Sequence, residues 1–199
     1  QEELFYGEVN PEQNYTVSFI GEDKNILIKV VTGSEEENFY LYGSSIQTLE
    51  PITPINEASF NYVHADNEGL FFITNLDANN YRLVKVSFSD FQMTEVVAEQ
   101  DFALKGASFV KDYLIADYID HADMSSEIKF FDHSGEKLDL QLPNSLNGTI
   151  SGFQSMGDDS IMFSVHSYTQ PNQYFTYDLT EDELELVWEE IIPGFNPAD

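Results

Sequence analysis

Cysteine is absent from the 199-residue chain. That excludes disulfides, thiolate metal sites and a cysteine nucleophile together, and leaves the redox compartment open. Basic residues are scarce, with 8 Lys plus Arg against 36 Asp plus Glu and a formal charge of −28. A general nucleic-acid binder is thereby excluded, because such affinity rests on cations that neutralise phosphates. Docking on anionic lipid is disfavoured for the same reason, and no apolar run approaches the ~18 residues of a membrane-spanning helix. No nucleic-acid or membrane partner is therefore expected. No glycine-rich phosphate loop occurs either. The charge is spread along the whole chain, as solvated strands and loops would spread it, and it biases the protein toward cationic partners.

What the chain does contain is one pattern repeated. Short runs rich in aromatic and β-branched residues, separated by Gly, Asp, Asn and Glu clusters, fall at 15–20, 26–32, 39–42 and 48–52. They return at 59–65, 70–75, 82–88 and 93–98, then at 105–110, 113–118, 127–132 and 138–142, and finally at 150–154, 161–166, 174–179 and 185–189. The second run of each set begins at Ile26, Leu70, Tyr113 or Ile161, a period of about 43 to 48 residues that lies in the range of propeller repeats. Apolar alternation has period two, which argues against a helical repeat array.

The fold class expected is all-β, a partial β-propeller of about four four-stranded antiparallel blades; a sandwich of irregular meanders is the other arrangement the pattern allows. Residues 15–56, 57–100, 101–146 and 147–190 are read as successive blades, residues 1–14 as the end of a preceding one, and 191–199 as a linker. Four blades make an arc with uncovered end faces rather than a closed disc, so a larger parent protein is expected. Apolar residues of the outermost blades would be exposed, and two copies would pair through them when the chain stands alone.

Signals of chemistry are few. Gly148-Thr149-Ile150-Ser151-Gly152 is the nearest string to a nucleophile elbow, but it lacks the spacing and the following helix, so Ser151 reads as a strand residue. His64, His121, His133 and His166 show no i, i+4 zinc spacing. Asp117, Asp120, His121 and Asp123 form the best acidic cluster, without the glycine and terminal glutamate of a calcium loop. Glu35, Glu36 and Glu37 read as a solvated turn, and Trp188 as a packing residue beside Leu186 and Ile191. No metal or other cofactor is expected, and catalysis, if the parent has it, lies outside these residues.

Several strings in order carry a family resemblance. Residues 70–75 (Leu-Phe-Phe-Ile-Thr-Asn) with 80–84 (Asn-Tyr-Arg-Leu-Val), then 112–118, Gly135 with Leu142-Pro143, 148–153 (Gly-Thr-Ile-Ser-Gly-Phe), 167–171 with Tyr174, Tyr177 and Asp178, and the turn-rich 193–199 resemble the propeller of prolyl oligopeptidases. The resemblance runs over nearly the whole chain and is weakest before Tyr62. It implies the last four blades of a seven-bladed propeller that covers an α/β-hydrolase domain carrying a Ser-Asp-His triad. It also implies cleavage of short peptides after proline with no metal.

On that resemblance the chain is a gating segment that lacks the triad and is inactive alone, with short proline-containing peptides and its own hydrolase domain as partners. By register, the positions lining the side of the pocket that receives residues upstream of proline fall at Tyr15, Thr32 and Ser34, where Gln13-Asn14 and Glu35–Glu37 replace the family's usual context. The alternative is a stand-alone propeller-type module that binds peptide or protein without activity.

Overall fold

Period-two alternation resolves into strands whose two faces have different fates. The computed structural model describes residues 12–20, 25–32, 36–43, 50–55, 57–122, 125–146, 148–157, 159–167 and 170–194. Among the described residues every regular element is a β-strand, and the strands form four antiparallel sheets, each a simple meander. The first contains β1 (Gln13–Ile20), β2 (Asn25–Thr32), β3 (Glu36–Tyr42) and β4 (Glu50–Pro51); the second contains β5 (Phe60–Ala65), β6 (Gly69–Thr74), β7 (Arg82–Ser87) and β8 (Met93–Val97). The third is β9 (Ala103–Val110), β10 (Tyr113–Ile119) and β11 (Ser126–Phe131). The fourth is β12 (Thr149–Ser155), β13 (Ser160–Ser167), β14 (Gln170–Asp178) and β15 (Glu183–Glu189). The chain divides into two units, Gln1–Ala98 and Glu99–Asp199.

In the first unit, Leu27, Phe39 and Leu41 of the first sheet share a core with Phe60, Leu70, Phe72, Val84 and Val86 of the second. The continuous apolar run of β6 is buried at every position, as expected of a central strand covered on both faces. Phe72 organises this core, meeting Phe39, Phe60 and Tyr62 edge-on at 5.0, 6.0 and 6.0 Å between ring centres. In the second unit, Val110, Ile115 and Phe130 of the third sheet pack with Ile150, Phe153, Ile161, Phe163 and Val165 of the fourth.

The third sheet departs from the four-stranded expectation. The run at 138–142 is not a strand: Phe131 and Lys137 form a single bridge, the Leu138 N–H donates to the Phe130 carbonyl at 2.9 Å, and the ladder stops. Leu138, Leu140, Leu142 and Leu146 instead lie half-buried against the core of the second unit. Covering that core takes all of these leucines, and Pro143 next to them has no N–H to give a ladder.

Hairpin ends consume many of the acids. Asp66 Oδ1 accepts from the N–H groups of Glu68 and Gly69 at 2.8 Å each. Asp132 Oδ1 accepts from Ser134 and Glu136 at 2.8 and 2.9 Å, and Asp178 Oδ1 from Thr180 and Glu181 at the same two distances. Short carboxylates that satisfy turn N–H groups are favoured here for their geometry.

Phe72→Ala is expected to destabilise the chain by about 3–5 kcal/mol, whereas Phe19→Ala, at a side chain 77% exposed, changes stability by less than about 0.5 kcal/mol. Urea denaturation measures both, and equal losses would contradict this placement of the core.

Candidate functional site

Tyr15 and Thr32 share one face of the first hairpin, because Gln13 pairs with Thr32 and Tyr15 with Val30 in the β1–β2 register. Gln13 links them: the Tyr15 hydroxyl donates to Gln13 Oε1 at 2.5 Å, and Gln13 Nε2 donates to Thr32 Oγ1 at 3.3 Å. The chain Tyr15–Gln13–Thr32 therefore holds two of the anticipated rim positions in one hydrogen-bonded row. Ser34 lies outside the described residues. Along the same face Val17 and Phe19 continue an apolar stripe, and Tyr15 is 39% exposed. Such a surface offers apolar contact together with a phenolic oxygen able to accept a further hydrogen bond. Gln13 was legible only as a departure from the family context; its alternation with Tyr15 and its place opposite Thr32 are what make it part of the row.

Ser151 sits within β12, with its Oγ 3.2 Å from Ser164 Oγ, and the Ser164 hydroxyl also lies 3.1 Å from the Ser151 carbonyl oxygen as a donor. Its partner is a serine on the next strand rather than a histidine, so the arrangement is structural. Gly148, just before β12, has φ 129° and no room for a side chain, since a Cβ there would lie 2.5 Å from the His166 carbonyl oxygen. Gly148 thus serves the strand's entry, and Gly152, at φ 72°, lies within β12 where its register with β13 shifts between Ser151 and Gln154.

The acidic cluster does not converge. Asp120 closes a turn, its Oδ1 accepting from the Ala122 N–H at 2.8 Å, and His121 is exposed. Asp117 is directed inward and only 7% exposed. Asp123 lies outside the described residues, and no group of three metal-ligating side chains occurs among those described. A bulge between Asp117 and Tyr118 leaves Lys105 unpaired in the ladder next to Gly106. It aims Lys105 Nζ to within 3.5 Å of Asp117 Oδ2. Asp117 Oδ1 has no hydrogen-bond partner among the described residues. Burial pushes the Asp117 carboxyl up, against the pull of Lys105.

Two other expectations change. Glu36 and Glu37 belong to β3 rather than to a turn, and Glu37 Oε1 pairs with Lys29 Nζ at 2.6 Å; Glu35 lies outside the described residues. Trp188 is 51% exposed, its ring 5.6 Å from Tyr174 and edge-on to it. With Tyr174 and Val187 it forms an apolar surface on the fourth sheet instead of filling a core, whereas Leu186 pairs with Phe175 on the other face.

Residues 1–190 match the family described as prolyl oligopeptidase, N-terminal beta-propeller domain. The chain is 26% identical over 207 residues to a prolyl endopeptidase of Elizabethkingia miricola, covering 100% of this chain and 28% of that protein. It is 24% identical over 213 residues to one of Dictyostelium discoideum, covering 96% of this chain and 28% of that protein. Among solved structures, prolyl oligopeptidase B from Galerina marginata, bound to a 35mer hydrolysis and macrocyclization substrate, superposes with a TM-score of 0.78 at 18% identity. The match covers 95% of this chain and 28% of that one. The chain thus spans about 28% of the length of the relatives it matches.

Because its folded pKa is raised, the Asp117 charge costs stability at neutral pH, and the cost is relieved as pH falls through the folded value toward the ordinary carboxylate range. Asp117→Asn is expected to raise stability at pH 7 by about 1 kcal/mol, with the gain gone by about pH 4. Asp178, held low by the N–H groups of Glu181 and Thr180, works with the opposite sign and loses its contribution as pH falls through its lowered value. Urea midpoints at both pH values measure this; a variant less stable than the parent at pH 7 would contradict it.

Proposed function

This chain belongs to the prolyl oligopeptidase N-terminal β-propeller family, and on that premise we propose that it is the access-controlling segment of a serine endopeptidase that cleaves short peptides after proline. In this reading its sheets are four successive blades, at 15–56, 57–100, 101–146 and 147–190, and it contributes no member of a Ser-Asp-His triad. The single observation that carries the reading is the family match over 190 residues. The serine–serine pairing at Ser151 is in keeping with it.

The physical role follows from what a covering domain does. Excluding folded chains confines the enzyme to small peptides, and closing the covered space keeps water from competing in a desolvated pocket. Tyr15, Thr32 and Ser34 are proposed to line the side of the pocket that receives residues upstream of proline, with Gln13 setting the tilt of the Tyr15 ring. The partner implied is an α/β-hydrolase domain that supplies the catalytic groups.

The purified 199-residue chain is expected to show no turnover of a fluorogenic Gly-Pro peptide and no mass shift with an active-site serine phosphonate. Turnover with a stoichiometric adduct would contradict the reading and return Ser151 to consideration. Hydrolysis by a longer protein carrying this chain supports the peptidase; peptide binding without hydrolysis there favours a stand-alone binding module.

We also read the apolar surfaces of the first and fourth sheets, Tyr15, Val17 and Phe19 on one and Tyr174, Val187 and Trp188 on the other, as faces that pair between copies when the chain stands alone. Sedimentation is expected to show concentration-dependent dimers. A compact monomer throughout the accessible range would contradict the pairing.

A further inference from the structure

Within the first unit, on the opposite face of β1 from Tyr15, lies a cleft of about 260 Å³ between the first and second sheets. Thr16 and Ser18 project into it from β1, and the register places Lys29 and Leu27 directly across from them on β2. Asn61 and Tyr62 of β5 close the other side. Its floor is apolar, formed by the buried side chains of Leu27 and Phe39.

The chemistry of this lining is unlike that of the chain around it. Acids outnumber bases 36 to 8, yet no acidic residue lines the cleft, and its polar groups are two hydroxyls, an amide, a phenol and an ammonium, each able to donate and all but the ammonium able to accept as well. The Tyr62 phenol carries its proton at neutral pH and can donate, and burial pushes its pKa further up. Lys29 Nζ is held in place by Glu37 Oε1 at 2.6 Å and lies 5.8 Å from the centre of the Phe39 ring. One of the three ammonium donors is committed to Glu37, whose carboxylate balances the Lys29 charge and whose Oε2 is buried without a hydrogen-bond partner among the described residues; a ligand would draw on the other two donors. Convergent donors over an apolar floor suit an anion attached to an apolar group, and the volume matches one terminal residue rather than a drug-sized molecule.

We propose that this cleft is a receptor for the carboxylate end of a short peptide, with Lys29, Thr16, Ser18, Asn61 and Tyr62 engaging the carboxylate and Leu27 and Phe39 receiving the terminal side chain. The site goes beyond the gating role, because it holds with or without a hydrolase domain. In a gated peptidase it would retain peptides bearing a free C-terminus within the covered space, apart from the rim at Tyr15.

The test titrates isotope-labelled 199-residue chain with acetyl-Ala-Pro-Phe, with its C-terminal amide, with acetate, and with acetyl-Asp-amide, following backbone resonances. The acid peptide is expected to shift resonances of residues 16–18, 27–29 and 61–62 and to bind at least about tenfold more tightly than the amide, the loss expected for a charge-assisted hydrogen bond. Lys29→Met and Thr16→Val are each expected to erase that preference while leaving the thermal transition within a few degrees of the parent. Tyr62→Phe, which keeps the ring on Phe72, provides a second variant should Lys29→Met fold poorly. Equal binding of acid and amide, shifts confined to other residues, or an unchanged acid preference in the folded variants would overturn the proposal. Acetate or acetyl-Asp-amide binding as tightly as the acid peptide would overturn the assignment to a peptide terminus. None of these outcomes depends on hydrolysis, so failure here and failure of the peptidase reading are separate results.

Discussion

An antiparallel sheet of three or four strands has two faces and no means of burying either by itself, and covering its second strand is the condition on which this fold rests. The burial of β6 at every position, of Leu114 to Tyr118 in β10, and of Ile161, Phe163 and Val165 in β13 shows the same solution repeated. Where covering is one-sided, register follows, because a slip by one residue in β13 would carry Phe163 from the buried face to the wetted one. The wetted ends of the strands are then free to carry turns, and the aspartates collect there. The apolar stripes on β1 and β15 follow from the same condition: they have the composition of covered faces and are exposed.

The acidity of the chain has a local and a global part. Locally, Asp66, Asp132 and Asp178 satisfy backbone N–H groups at hairpin ends, where a neutral apolar residue would leave donors unpaired. Six of the eight bases, Lys29, Arg82, Lys85, Lys105, Lys111 and Lys129, each lie against a carboxylate. Exposed pairs of this kind contribute little to stability, so their consequence is where charge is cancelled. Globally, the remainder leaves a strongly negative surface whose field is screened over about 8 Å at physiological salt. Against that background the cleft at Lys29 is a patch of balanced charge, its ammonium paired with Glu37.

The sheets were legible in the sequence because alternation and turn residues repeat with one period, and the expected runs at 26–32, 70–75, 113–118 and 161–166 lie almost wholly within β2, β6, β10 and β13. The last run of the third set was misread because leucines spaced by two residues look alike whether they extend a ladder or lie over a core. Trp188 was misread for a related reason, since sequence neighbours do not say whether a covering surface is present. The site was far less legible. Gln13 joins Tyr15 to Thr32 only through cross-strand register, the inward turn of Asp117 depends on one bulge, and the donor cleft brings β1 and β5 together across some 45 residues of chain. Side-chain chemistry can be read one residue at a time, whereas convergence cannot.

In the reading proposed above, these sheets restrict access to chemistry performed by another domain. The most direct test is kcat/KM of a longer protein in which this chain is joined to an α/β-hydrolase domain, on a proline-containing octapeptide and on the same eight residues displayed in a loop of a folded protein. Efficient cleavage of the free peptide and none of the displayed loop is the expected result. Comparable rates on both would contradict it, because sheets that admit a folded protein would not be controlling access.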